Sequence, residues 1–297
     1  MTVLWSTSWV LIKIGLQDIP SLTFAGLRYT LAFLCLLPFA LRPHHRASLR
    51  ALPRAMWLRI VALGVIYYAV TQGSQFVALQ YLPAATTSLT LSFTAVLVAF
   101  LGVVFLGEHP TALQWAGGAL YLVGVLVYVG PAPPAGGRAI GFIAAGVGVV
   151  ANAVSAILGR YVNRSDALPP TVVTVVSMGI GAALLLVAGL TLQGLPRLSA
   201  GNWAAIAWLA VVNTALAFTL WNHSLRTLSA MESTVINNTM LFQIAVLAWA
   251  FLGESLTWHQ IAGMVVAGAG TFIVQRRARP GTATDLERAA SDARESV

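Results

Sequence analysis

The sequence predicts an all-α integral membrane protein, with ten transmembrane helices arranged as two inverted five-helix repeats. Three observations lead there. Of 297 residues, 58% are hydrophobic and only 9% charged, whereas a water-soluble domain carries roughly 25% charged residues. Apolar windows of about 20 residues, the length that crosses a bilayer core, follow one another with short breaks. Finally, FLGEHPTALQWAG (Phe105 to Gly117) is echoed 146 residues later by FLGESLTWHQIAG (Phe251 to Gly263), which marks an internal repeat.

The windows fall at about 1–17, 20–41, 57–78, 83–106, 110–130, 139–160, 169–193, 202–224, 231–252 and 256–275. Turn chemistry separates them: Asp18-Ile19-Pro20, Leu82-Pro83, Gly107 to Pro110, Pro131 to Gly137, Pro169-Pro170 and Gly194-Leu195-Pro196. The first apolar run, VLWSTSWVLIKIGL, is short. At ~1.5 Å per residue it covers about 21 Å of a ~30 Å hydrocarbon core. It has neither the basic start nor the small-residue cleavage site of a signal peptide. The expected division is a first repeat over 1–130, a linker over 131–138, a second repeat over 139–275 and a tail over 276–297. The tail is charged and free of aromatics, a composition that favours disorder.

The net charge of +8 raises the question of nucleic acid, but the basic residues flank the apolar spans. With the loop carrying Arg42, Arg46, Arg50, Arg54 and Arg59 in the cytoplasm, Arg160, Arg164, Arg226, Arg276, Arg277 and Arg279 fall on the same side. Only Arg138 and Arg197 fall opposite. That asymmetry is the positive-inside pattern and puts both termini in the cytoplasm. The partner it implies is the lipid bilayer, with no nucleic acid. The single cysteine, Cys35, excludes a disulfide framework and reads as a small packing residue.

Aligned without gaps, 57–124 and 203–270 share 19 identities in 68 positions. Each half holds five helices, an odd number, so the second half is expected upside down. Gly107-Glu108 and Gly253-Glu254 each close the fourth helix of a repeat and open the fifth. Glycine suits a position just past a helix end, and glutamate suits the positive end of the next helix dipole. Both glutamates therefore read as hairpin caps. Gln114, Gly117 and Gly124, with their counterparts, give the fifth helix a face for close packing.

Residues Trp5 to Gly15 (WSTSWVLIKIG), Leu27-Arg28-Tyr29 and both FLGE blocks carry a resemblance. The chain resembles the EamA-type branch of the drug/metabolite transporter superfamily from Leu4 to about Val274. The resemblance implies two inverted five-helix repeats and secondary transport. It also implies export of amino acids, aromatic ones among them, or of other small metabolites. The family's central cavity is lined by the third and fourth helices of each half. The chain departs from the family at Phe93 and Thr239, where a proline often stands in the fourth helix of each repeat.

The residues can be read for a cavity independently. Tyr68, Gln72 and Gln75 fall on one face of the third helix at 3.6 residues per turn. The repeat offset carries them to Thr214, Phe218 and Trp221. The fourth helix adds Thr87, Thr90 and Thr94, and its counterpart adds Ser233, Asn237 and Asn238. Amides in hydrocarbon need a partner or a wet cavity. Each threonine taken singly reads as bonded to its own helix, whereas Gln72, Gln75, Asn237 and Asn238 together read as cavity-lining. Arg28 lies eight residues past Pro20, about 12 Å along its helix. Its partner is open: a substrate carboxylate, backbone carbonyls, water, or a fixed structural role. The expected substrate-binding set is Arg28, Tyr68, Gln72, Gln75, Thr90, Thr94, Phe218, Trp221, Asn237 and Asn238. Lys13, near Asp18, is expected to snorkel outward, and His223 reads as a solvated helix end.

Such a cavity is polar, aromatic and largely uncharged. It suits a small zwitterion or amphipathic metabolite better than a sugar phosphate, which calls for clustered Arg or Lys. No deep carboxylate pair offers a proton relay. The chain has no G-x-x-x-x-G-K-[ST] phosphate loop, and His44-His45 lack acidic company. An enzyme is therefore not expected, and neither a cofactor nor a metal. A non-transporting scaffold or sensor is the remaining rival. The expectation is a multi-pass exporter of small amino-acid-like metabolites in a bacterial inner membrane, and a monomer is compatible with the sequence.

Overall fold

The structure, a computed structural model, describes residues 2–106, 111–129, 137–163, 168–217, 220 and 230–275, with side chains for all of these except 99, 102–106 and 230–238. The elements are α1 (Thr2–Gly15), α2 (Ser21–Ala40), α3 (Pro43–Arg50), α4 (Arg54–Tyr81), α5 (84–106), α6 (Ala112–Val129), α7 (Gly137–Asn163), α8 (Pro170–Leu192), α9 (Ala200–Leu216), α10 (Ala230–Leu252) and α11 (Trp258–Gln275). No strand occurs among the described residues. Helices α2, α4, α6, α7 and α8 are each long and apolar enough to cross a bilayer alone. Helices α1, α5, α9, α10 and α11 complete the ten, and large apolar side chains such as Leu126, Ile143 and Trp258 cover the outside.

The spans match the hydropathy windows, with one addition. Helix α3 forms inside the arginine-rich loop, where Pro43 occupies the first turn and pre-sets the backbone. It buries no residue, so it lies on the surface of the bundle. The predicted linker falls mostly outside the described residues, as do Gly107, Glu108 and the tail.

Close glycine contacts show how the halves meet. A Cβ on Gly117 would stand 2.9 Å from the Gly270 carbonyl oxygen, and one on Gly124 would stand 2.7 Å from that of Gly263. Along α6 the numbers rise while along α11 they fall, so these equivalent helices run antiparallel. The same holds for α2 and α8: Gly26 meets Leu185 and Leu186, Gly189 meets Thr23, and Gly179 meets Phe33. Antiparallel packing of equivalent helices means that one half is inverted relative to the other. Partner exchange agrees, since α1 packs on α10 as α7 packs on α5.

The repeated Gln-x-Ala-Gly block has a local cause. Gln114 Oε1 accepts from the Thr111 amide at 2.9 Å, and Gln260 Oε1 accepts from the Thr257 amide at 2.9 Å. Each is the return bond of a capping box, which satisfies amides at a helix start. Gly253 has the expected positive φ of +65°. Glu254 is indeed a cap, but of a different helix: its carboxylate accepts from the amides of Ala84 and Ala85 at 2.8 and 3.3 Å. It therefore caps α5, in the other repeat.

Helix α5 breaks at Phe93 without a proline. The Phe93 amide bonds Thr90 O at 3.2 Å instead of Leu89 O, its α-helical acceptor. Leu89 O is taken by the hydroxyls of Tyr121 at 2.6 Å and Ser92 at 2.7 Å. A side chain inserted into the backbone ladder bends a helix. Phe93 stacks on the Tyr121 ring, centroids 5.5 Å apart, which holds the break in place.

Candidate functional site

The third helix of each half carries a π-helical stretch, Gly64–Gln72 in α4 and Val211–Leu216 in α9. Shifted by the repeat offset, the first would cover 210–218, so the two coincide. In each, a threonine hydroxyl bonds the carbonyl five residues back: Thr71 to Ile66 O and Thr214 to Leu209 O, both at 2.9 Å. Such stretches often mark functional sites. Apolar periodicity does not reveal them, because it assumes a uniform α-helical turn.

Arg28 reaches the second stretch. Its Nε and Nη2 donate to Thr214 Oγ1 at 3.3 and 3.2 Å. The guanidinium carbon lies 5.3 Å from the centre of the Tyr29 ring and 6.0 Å from that of Phe76. The residue is only 6% exposed, and no carboxylate among the described residues pairs with it. Tyr29 donates its hydroxyl to Gln72 Oε1 at 2.6 Å and meets the Tyr68 ring edge-on at 5.8 Å. Arg28, Tyr68 and Gln72 are thus gathered around Tyr29.

Of the other expected residues, Gln75, Thr90 and Thr94 are described and make different contacts. Gln75 is half-buried and takes no part in this network; the wider π turn before it breaks the expected single face. Thr90 bonds its own helix at Thr86 O, 2.9 Å away, as a lone threonine is expected to. Thr94 accepts from Asn152 Nδ2 of α7 at 3.4 Å, a contact between α5 and α7. Asn237 and Asn238 lie on α10, with side chains outside the described residues, and Phe218, Trp221 and His223 fall outside them altogether.

A second polar belt was not anticipated. Ser6 donates to Gln243 Oε1 at 3.0 Å, and Gln243 Nε2 donates to Thr239 at 2.9 Å and Thr2 at 3.3 Å. Asn213 Nδ2 donates to Thr7 Oγ1 at 3.2 Å and to Leu4 O. This belt ties α1 to α9 and α10. Asn213 and Gln243 are amides inside apolar spans, the same signal that marked Gln72, so sequence reasoning had the means to find them. Among the described residues, two buried side-chain polar atoms have no partner, Asn213 Oδ1 and Thr30 Oγ1.

Lys13 does not snorkel outward. Its ammonium donates to Leu79 O at 2.6 Å and Leu82 O at 2.7 Å, the closing carbonyls of α4. Lysine on the last carbonyls of α4 and Glu254 on the first amides of α5 complement both helix dipoles across the Leu82-Pro83 turn. Together they border a cleft of about 390 Å³ that Gln17 and Gln80 also line. No cluster able to hold a metal ion occurs among the described residues.

The EamA-like transporter family matches residues 1–130 and 139–276, one match for each half. A probable amino-acid metabolite efflux pump of Salmonella typhimurium is 27% identical, over 92% of this chain and 91% of its own length. A probable terminal-alkyne amino-acid exporter of Streptantibioticus cattleyicolor is 26% identical over 93% and 91%. A S-adenosylmethionine/S-adenosylhomocysteine transporter of Chlamydia trachomatis is 28% identical over 85% and 80%. A solved crystal structure, 19% identical, covers 92% of this chain and 94% of its own with a TM-score of 0.64, and so shares the fold. A transporter built as two inverted repeats, and not an enzyme, is what the fold and these matches jointly describe: the chain belongs to the EamA-like transporter family.

Proposed function

We propose that the protein exports small amino-acid-like metabolites across a bacterial inner membrane by alternating access, with both termini in the cytoplasm. The repeats over 1–130 and 139–275 act as the two moving halves, and the bundle works with lipid as its only obligatory partner. The observation that carries this reading is the pair of π-helical stretches at equivalent positions, with Arg28, Tyr29, Tyr68 and Gln72 gathered beside them. Inverted-repeat transporters place their sites near the midplane, at irregular points of the helices where repeats meet. The names of the three relatives support the substrate class, since each named substrate contains an α-amino acid or is a metabolite of one. Phe218, Trp221, Asn237 and Asn238 complete the proposed lining from the second half, with Gln75, Thr90 and Thr94 at its edge.

Flux of labelled neutral and aromatic amino acids in proteoliposomes, with and without a pH gradient, tests the reading. Saturable flux is expected, lost in a Gln72→Ala/Trp221→Ala double variant that keeps its fold. Absence of flux for every amino acid from folded protein would reject the substrate class. The gradient arm reports whether protons are coupled.

A further inference from the structure

We propose that Arg28 and Asn213 form the two poles of a zwitterion site: the Arg28 guanidinium takes a substrate carboxylate, and the Asn213 amide oxygen accepts from the substrate ammonium. This deepens the amino-acid reading above and rests on it.

The first pole is a buried cation without a counter-anion among the described residues. A guanidinium offers five N–H donors, and here its hydrogen bonds among the described residues go to one neutral oxygen, Thr214 Oγ1. The rings of Tyr29 and Phe76 stabilise the charge in part but leave donors for an anion. An unpaired charge inside a membrane span is costly and marks a functional position. A carboxylate matches the fork bidentately.

The second pole is a buried acceptor without a donor. Asn213 is 1% exposed, and its Oδ1 has no partner among the described residues. The bonds from Nδ2 to Thr7 and to Leu4 O fix which way the amide faces, leaving the oxygen as the free end. Buried acceptors of this kind call for an explanation, and an ammonium donor supplies one.

The two poles are linked through one turn of α9. Thr214, which anchors Arg28, directly follows Asn213 within the π-helical stretch of α9, so their Cα atoms lie about 3.8 Å apart, and their side chains leave the helix about 100° apart, toward α2 and α1. The Thr214 hydroxyl donates to Leu209 O while accepting from Arg28, which makes it a fixed post between the poles. Carboxylate and ammonium of an α-amino acid are separated by a single carbon, so the site requires the guanidinium and the amide oxygen to face one small space beside this turn. Asn213 also ties α9 to α1.

The test uses phenylalanine and leucine with two derivatives of each: the amide, which lacks the carboxylate, and the N-acetyl form, which lacks the ammonium. Each competes for labelled parent amino acid with wild-type protein in proteoliposomes. Wild type is expected to prefer the parent at least ten-fold over either derivative. Arg28→Gln should lose the preference over the amide while keeping that over the N-acetyl form, and Asn213→Leu should do the reverse. Asn213→Asp, which keeps the acceptor and adds charge, should retain the ammonium preference and covers the case in which Asn213→Leu does not fold. Variants that lower flux for all ligands without changing these preferences would overturn the site and leave the amino-acid reading standing. If folded wild type moves neither amino acid, the reading fails and the site falls with it.

Discussion

Gly117 and Gly270 face each other so closely that a Cβ on either would meet the other's carbonyl oxygen, at 2.9 and 2.6 Å. Gly124 and Gly263 repeat the relationship at 2.7 and 2.6 Å. Each glycine of one helix meets the repeat-equivalent of the other, as at a two-fold interface. The α6–α11 seam therefore follows the two-fold relation between the halves.

Gly270→Val should destabilise the bundle. The new side chain would meet the Tyr121 amide nitrogen at 2.4 Å as well as Gly117 O, and neither backbone can retreat. Overpacking of this kind costs roughly 1–3 kcal/mol or more. Gly146→Ala is the control: nothing lies within 4 Å of its Cβ, and helix propensity favours alanine by roughly 1 kcal/mol. Thermal unfolding in detergent should separate the two variants in opposite directions.

Tyr121→Phe should straighten α5. Without the phenol, one competitor for Leu89 O is gone, and Tyr121→Phe/Ser92→Ala removes both. The Phe93 amide then regains its α-helical acceptor. Hydrogen exchange at Phe93 should slow in the double variant, and transport should fall if the break is needed for movement.

Lys13 and Glu254 hold one turn from opposite sides. Glu254→Ala strips a cap from two amides of α5, a loss of about 0.5–2 kcal/mol. Lys13→Met leaves two closing carbonyls of α4 without their donor, about 1–3 kcal/mol if they stay buried. Both variants should lower the unfolding midpoint, and high salt should not mimic them, because each contact is a direct hydrogen bond.

The Tyr29–Gln72 bond separates packing from function. Gln72→Leu alone strands the Tyr29 hydroxyl and should cost about 1–3 kcal/mol, whereas Tyr29→Phe/Gln72→Leu removes both partners and should recover much of that. If the pair serves the substrate, stability returns in the double variant and transport does not. Return of both would make the pair interhelical glue.

The ten spans and the inversion were legible in sequence because lipid demands long apolar runs and because the capping boxes at Thr111 and Thr257 left a repeated trace. Arg28 and Gln72 were legible because charges and amides in hydrocarbon stand out. The π-helical stretches were not, since a shift in hydrogen-bond register leaves no mark in apolar periodicity. Glu254 was read as a cap but assigned to the wrong helix: its partners, Ala84 and Ala85, lie about 170 residues away in sequence, and local dipole reasoning sees only the nearer helix. The partners of Lys13 are hidden from sequence for the same reason, because the carbonyls it meets belong to α4. The break at Phe93 depends on a tyrosine from another helix, so the missing proline was no guide.

Alternating access is the central claim, and spin-label distances at the two ends of the bundle test it most directly. In a Cys35→Ser background, labels at Gln80 and His259 report one end, and labels at Arg54 and Tyr161 report the other; all four positions are exposed. The account predicts that adding a transported amino acid moves the two distances in opposite directions, one end opening as the other closes. Distances that stay fixed, or that widen together, in protein shown to transport would contradict it.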